Sequence, residues 1–96
     1  MGKRNAESYK NVWDAISDTP EEAANLRAKS ELMQKIVKII ESKKWIQIEA
    51  AKHCGITQPR LNNLLRGRIS KFSLDALVNI ATALGQKVHI ELEDAA

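Results

Sequence analysis

The sequence has few aromatic residues, one cysteine and no long apolar run. The only aromatic side chains are Tyr9, Trp13, Trp45 and Phe72, so the core must be built from Leu, Ile, Val and Ala. The single cysteine, Cys54, excludes an internal disulfide and is typical of a reducing compartment. No stretch approaches the ~20 apolar residues of a membrane span, and the N-terminal MGKRNAES lacks the apolar segment of a signal peptide. We therefore expect one small cytoplasmic domain in these 96 residues.

Acidic residues are absent from Ala50 to Leu74. Residues 30–72 carry nine bases and three acids, a net charge of +6, whereas residues 1–29 are neutral and residues 73–96 carry −3. A basic block between neutral and acidic blocks predicts binding to a polyanion. A merely solvated cationic surface would have the same composition, so the charge alone leaves both interpretations open.

Helical patterns occupy most of the chain after residue 18. Thr19, Pro20 and Glu22 match an N-cap, a first-turn proline and a capping box, which predict a helix start at TPEEAANL. The apolar periodicity then continues through ESKK, as one long helix or as two helices broken near Ser30. Three short helices follow, in WIQIEAAKHCG, TQPRLNNLLRG and SLDALVNIATALG, each ending at a glycine.

The C-terminal KVHIELE alternates polar and apolar residues, which predicts a half-buried β-strand. Val88, Ile90 and Leu92 fall on its apolar side. A lone strand cannot satisfy its own backbone groups, and the sequence offers no second strand. We therefore expect this strand to pair with its copy in a homodimer.

The two short helices around Gly55-Ile56-Thr57 match the geometry of a helix-turn-helix. In that motif the second helix enters the major groove of DNA. Leu61 and Leu64 are predicted to face the first helix, and amide and guanidinium side chains, which suit base edges, to face outward. The predicted base-contacting residues are Gln58, Arg60, Asn62 and Asn63. Arg66, Arg68 and Lys71 follow where phosphates would lie close.

An apolar cluster precedes the long helix. Tyr9, Val12, Trp13 and Ile16 fall at i, i+3, i+4 and i+7, which places them on one face of about two helical turns. One interpretation is a hydrophobic anchor for a partner protein. The other is a segment that folds back on the core of its own chain.

The segments IQIEAAKHCGITQPRLNNLLRGR and FSLDALVNIATALG resemble the Xre-type, lambda-repressor-like helix-turn-helix family from about Leu32 to Gly85. The flanks VWDAI and DTPEEAANLRAKSELM, together with KVHIELE, are similar to the HigA-type antitoxin branch. The resemblance implies a dimeric repressor that binds a palindromic operator in its own promoter and neutralises a RelE-like toxin that cleaves translated messenger RNA.

The resemblance also implies roles for individual residues. The base-facing positions that it implies are Gln58, Pro59, Arg60, Asn62 and Asn63. Predicted contacts to the DNA backbone are Gln47, Thr57, Arg66, Arg68 and Lys71. Three departures from the family pattern stand out. Ile46 occupies the usual Thr or Ser cap position of the first short helix, Cys54 replaces a leucine, and Pro59 offers no amide donor.

The predicted fold is therefore an all-α, lambda-repressor-like bundle with an N-terminal helical extension and a C-terminal strand that pairs across a dimer. We expect a partner-binding or flexible segment in residues 1–18, a DNA-binding domain in residues 19–86 and a dimerisation tail in residues 87–96. No arrangement of catalytic residues or metal ligands appears in the sequence, so we expect no enzyme, metal or cofactor. The alternatives to an antitoxin are a stand-alone regulator and an adaptor that binds no DNA.

Overall fold

The computed structural model describes residues 19–95. These residues form four α-helices and a short 3-10 turn: α1 (Pro20–Lys43), α2 (Gln47–Cys54), α3 (Gln58–Leu65), the 3-10 turn (Ile69–Lys71) and α4 (Leu74–Ala83). The helix α1 continues through Ser30 without a break, which decides between the one-helix and two-helix expectations. The predictions for the apolar cluster at Tyr9, Val12, Trp13 and Ile16 lie outside the described residues.

Three helices begin at the hydroxyl side chains that the sequence indicates. Thr19 Oγ1 accepts a hydrogen bond from the amide of Glu22 at 3.0 Å. Ser73 Oγ accepts one from the amide of Ala76 at 3.1 Å, at the start of α4. The third cap is Thr57, which begins α3. Each cap satisfies a backbone donor that the first helical turn leaves unpaired, so the predicted helix starts are confirmed.

Glycines with left-handed backbone end the two helices of the helix-turn-helix. At Gly55 φ is +72°, the amide of Ile56 donates to the Ala51 carbonyl at 3.0 Å, and the amide of Gly55 donates to the Lys52 carbonyl at 3.1 Å. This pair of bonds is a Schellman motif, which requires a backbone conformation that residues with a Cβ rarely adopt. The sharp turn between α2 and α3 follows directly from it.

The core is aliphatic apart from one aromatic ring. The helix α1 packs against α4 and also contacts α3 and the 3-10 turn, while α2 packs against α3 and α4. Leu61, Leu64 and Leu77 have no exposed surface, and the ring of Phe72 is 2% exposed. The wider cluster consists of Met33, Ile36, Ile40, Ala50, Ala51, Cys54, Ile80 and Ala81.

Trp45 links the end of α1 to the far end of α2. It is half-buried against the core, and its ring stacks on that of His53 with centroids 3.9 Å apart and planes 9° from parallel. Stacked rings contribute to stability beyond the effect of the area that they bury.

The C-terminal segment differs from the sequence prediction. No strand forms among residues 19–95 of the single chain, and Ile90 and Leu92 are 77% and 96% exposed there rather than half-buried. Only Val88 packs on the core. The physical reason is that a β-ladder requires a second strand, and the described part of this single chain supplies none.

Candidate nucleic-acid interface

The pairing of α2 with α3 positions the candidate interface. Ala50, Ala51 and Cys54 of α2 are buried, and their small side chains let α3 approach closely through Leu61 and Leu64. Ile56 in the turn is half-buried against the same cluster. The inward face of α3 is therefore fixed by packing, as the sequence predicts.

Thr57 fixes the start of α3. Its Oγ1 accepts a hydrogen bond from the amide of Arg60 at 3.3 Å, and Pro59 lies in the first turn, where its missing N–H is not needed. A hydroxyl that accepts through one lone pair still has its own hydrogen to donate. The cap thus leaves Thr57 able to donate to a phosphate oxygen, in line with its predicted role.

The outward face of α3 consists of uncharged polar side chains that their own chain does not engage. Gln58, Pro59 and Asn62 are exposed and Asn63 is half-buried. Within residues 19–95, the side-chain amides of Gln58, Asn62 and Asn63 make no hydrogen bond. Their donors and acceptors are therefore available to a partner.

Two side-chain amides of α1 behave differently. Asn25 Nδ2 donates to the Glu21 carbonyl at 3.1 Å, and Gln34 Nε2 donates to Ser30 Oγ at 3.4 Å, both within α1. Helical amides on this protein can thus be satisfied locally. Those on the outward face of α3 are not, which favours an external partner for them.

Arg60 does not share the outward orientation of these amides. Its guanidinium carbon lies 4.4 Å from the centroid of the Phe72 ring, and its Nη1 donates to the Lys71 carbonyl at 3.2 Å. With about 100° per residue, Arg60 lies only about 40° around the helix from the buried Leu64. It occupies the flank of α3, and its predicted contact with a base stays a prediction.

The cationic residues after α3 are held by the end of that helix. The amide of Arg68 donates to the Asn63 carbonyl, and that of Gly67 donates to the Leu64 carbonyl, both at 3.0 Å. Gly67 has φ +72°, so α3 ends in a second Schellman motif. The side chains of Arg66, Arg68 and Lys71 are exposed just beyond it, where they are able to meet phosphates.

The start of α2 lacks a side-chain cap. Ile46 occupies the N-cap position without a cap hydrogen bond, as its apolar side chain predicts, and Gln47 is exposed beside it. The free amides of a helix start are donors that suit a phosphate. Ile46 and Ile48 are 65% and 48% exposed.

Cys54 belongs to the core rather than to a reactive site. It is 2% exposed, and burial raises the pKa of its thiol above the usual value. A thiol that resists ionisation is a poor nucleophile. In the part of the chain that the structure describes, no three His, Cys, Asp or Glu side chains gather where they could hold a metal ion.

Sequence reasoning missed the supports behind this surface. Neither the 3-10 turn nor the contacts of Arg60 and Lys29 with the Lys71-Phe72 segment has a local signal, because the partners are 11 and 43 residues apart. The stack joins Arg60 to Phe72, which lies twelve residues further along the chain, and no local pattern in the sequence indicates it.

Residues 15–93 match a protein family described as a helix-turn-helix domain. The chain belongs to this family. The match agrees with the expected Xre-like class, with the all-helical bundle and with the α2-turn-α3 geometry. Membership indicates a DNA-binding regulator. No curated protein matches the chain, and no helix within residues 19–95 is both long and apolar enough to span a membrane.

Proposed function

We propose that the protein is a sequence-specific transcriptional repressor that binds a palindromic operator in its own promoter and serves as the HigA-type antitoxin of a type II toxin–antitoxin pair. The observation that carries DNA recognition is the outward face of α3. It presents unengaged amides on a surface without acids, next to exposed cations. The protein acts by binding, and we propose no catalytic activity for it.

The amides and the cations have different tasks in this proposal. Gln58, Asn62 and Asn63 contact base edges, because an amide can pair with adenine through two hydrogen bonds. Pro59 has no donor and contributes shape or contact with a thymine methyl group. Backbone contacts come from Gln47, Thr57, Arg66, Arg68 and Lys71, and they fix the register of the protein on the duplex without specifying sequence.

Dimerisation through the C-terminal segment completes the repressor. Ile90 and Leu92 are large apolar side chains that the single chain leaves exposed, and the alternation from Val88 onward suits a strand. We propose that this strand pairs with its copy in a second subunit. The two α3 helices would then meet half-sites about one helical turn, or ~10 base pairs, apart.

The antitoxin role rests on the resemblance of the flanking segments to the HigA-type branch. The proposed toxin contacts are Tyr9, Val12, Trp13 and Ile16, which lie outside the described residues. Aromatic side chains are common anchors of protein interfaces. The expected partner is a small RelE-like toxin.

Base contact is tested with Gln58→Ala and Asn63→Ala against Arg66→Ala. Either amide variant should weaken binding to the promoter by about 1–3 kcal/mol while changing binding to random DNA little. Arg66→Ala should weaken binding to all DNA alike. It should also reduce the salt slope, which is the slope of log affinity against log salt concentration, by about one. An equal loss on random DNA in the amide variants would contradict their role.

The toxin is tested by native pull-down from the source cells with mass spectrometry of stoichiometric partners. Co-purification of a small basic protein that is lost in Trp13→Ala would support the antitoxin. A chain that purifies alone yet binds its promoter would support the alternative, a stand-alone regulator. A chain without DNA binding would favour an adaptor that reuses the fold.

A further inference from the structure

Arg60 is held by the segment that follows α3. Its guanidinium lies over the Phe72 ring with 4.4 Å to the centroid, and Nη1 donates to the Lys71 carbonyl at 3.2 Å. Phe72 belongs to the core and is 2% exposed. Because the ring cannot move without disturbing that core, it is a fixed support for the arginine.

A second cation holds the same segment from the other side. Lys29 Nζ, on α1, donates to the Phe72 carbonyl at 3.1 Å. The carbonyls of two consecutive residues, Lys71 and Phe72, thus accept from charged side chains on two different helices. Hydrogen bonds from charged donors are stronger than neutral ones, so the end of the 3-10 turn is anchored between α1 and α3.

The other end of this loop is anchored as well. The Schellman motif at Gly67 ties the amide of Arg68 to the Asn63 carbonyl at 3.0 Å. The two anchors hold the backbone of Arg68 and of Lys71, whose side chains are exposed. The loop that carries these two exposed cations is therefore fixed at both ends, and Arg60 is part of one anchor.

We propose that Arg60 is a positioning residue, which holds the Arg68–Lys71 loop for contact with DNA phosphates and contacts no base. This inference rests on the proposed DNA binding. To reach a base edge, Arg60 would have to leave both the ring and the carbonyl. Gln58, Asn62 and Asn63, in contrast, can contact a base without breaking any hydrogen bond of the described chain. Base contact by α3 therefore does not require Arg60 on its flank.

The test uses the full chain with Arg60→Lys, Arg60→Gln, Lys71→Gln and the double variant Arg60→Gln/Lys71→Gln. Asn63→Ala is the control on the outward face. Each protein is titrated with a duplex from its own promoter and with a scrambled duplex of equal length, at several salt concentrations. The temperature is kept below the melting transition of every variant, so that folded proteins are compared.

If Arg60 positions the Arg68–Lys71 loop, the variants should differ as follows. Arg60→Lys keeps a cation for the ring and a donor for the carbonyl, so it should retain the wild-type ratio of promoter to scrambled affinity. Arg60→Gln should weaken both duplexes by a common factor and reduce the salt slope by about one, with little further reduction when Lys71 is already Gln. Asn63→Ala should lower the affinity ratio about tenfold or more.

Three results would overturn the inference while wild-type binding remains intact. If Arg60→Lys lowers the ratio of promoter to scrambled affinity as much as Asn63→Ala does, Arg60 contacts a base. Fully additive effects of Arg60→Gln and Lys71→Gln on the salt slope would mean that Arg60 contacts a phosphate directly. A lower melting temperature with unchanged DNA binding would mean that Arg60 only stabilises the fold. A wild-type chain without salt-sensitive binding would contradict the proposed function and this inference with it.

Discussion

The helices α2 and α3 are each eight residues long and each is followed by a left-handed glycine, yet they begin differently. Thr57 caps α3 through its hydroxyl, whereas Ile46 offers α2 no cap. Glu49 lies in the first turn of α2, while the first turn of α3 contains no acid. The start of α3 is thus fixed by a cap and free of negative charge, whereas the start of α2 has no side-chain cap and contains an acid.

The difference indicates which helix meets DNA with its side chains. A major-groove helix needs a defined start, since a shift of its first turn moves every base-contacting side chain. A carboxylate there would repel phosphates. In the proposed complex, α2 supports α3 and approaches DNA only at its own start, where uncapped amides suit a single phosphate. An acid beside that point is tolerable because it can face away.

The largest expected effect concerns the packing that the two helices share. Leu64→Ala should lower the free energy of unfolding by about 2–5 kcal/mol, because it leaves a cavity beneath α3. The matched control is Ile48→Ala on the outer side of α2, where the side chain is 48% exposed. It should stay within about 0.5 kcal/mol of the wild type. Chemical denaturation measures both, and similar losses would contradict the assigned faces.

The next largest expected effect is on DNA affinity and comes from placing an acid on α3, which has none. Asn63→Asp should weaken binding to promoter DNA by about 2 kcal/mol or more, because it removes amide donors and places a negative charge near phosphates. Glu49→Gln removes an acid from α2 and should change binding less. Titrations at fixed salt compare the two, and a larger effect of Glu49→Gln would reverse the roles of the helices.

The cap of α3 has a moderate expected effect. Thr57→Ala should lower the free energy of unfolding by about 0.5–2 kcal/mol, since the amide of Arg60 loses its acceptor. Thr57→Ser keeps the hydroxyl and should remain close to the wild type. Thermal or chemical melts measure the losses, and an equal loss in both variants would show that the cap contributes nothing.

The smallest effect comes from giving α2 the cap that it lacks. Ile46→Thr should raise the free energy of unfolding by about 0.5–1 kcal/mol, because the 65% exposed isoleucine buries little and the hydroxyl can accept from the first turn. Ile46→Val is the control for loss of apolar surface and should bring no gain. A destabilised Ile46→Thr would mean that the isoleucine packs more than its exposure indicates.

The sequence predicts the parts of the fold that depend on neighbours along the chain. Thr19, Thr57 and Ser73 cap helices, and Gly55 ends one, because the required hydrogen bonds join residues three to five positions apart. The buried faces of α2 and α3 follow from helical spacing in the same way. Local patterns thus predict the helix-turn-helix well.

Contacts between distant residues account for the rest. The Arg60 guanidinium lies over the Phe72 ring, and Lys29 donates a hydrogen bond to the Phe72 carbonyl. Both contacts depend on how α1, α3 and the 3-10 turn pack. The stack of Trp45, in the linker after α1, on His53 near the end of α2 likewise depends on packing. The strand predicted at Val88, Ile90 and Leu92 requires a second strand, which alternation within one chain cannot supply.

The most direct test of the central claim is the salt dependence of DNA binding by the wild-type chain. Its affinity is measured for its own promoter duplex and for a scrambled duplex of the same length and composition. We expect binding to both to weaken as salt rises, as phosphate contacts require, and the promoter to be bound at least about a thousandfold more tightly. Equal affinity for the two duplexes, or binding that salt does not change, would contradict the assignment of α3 as the helix that recognises DNA.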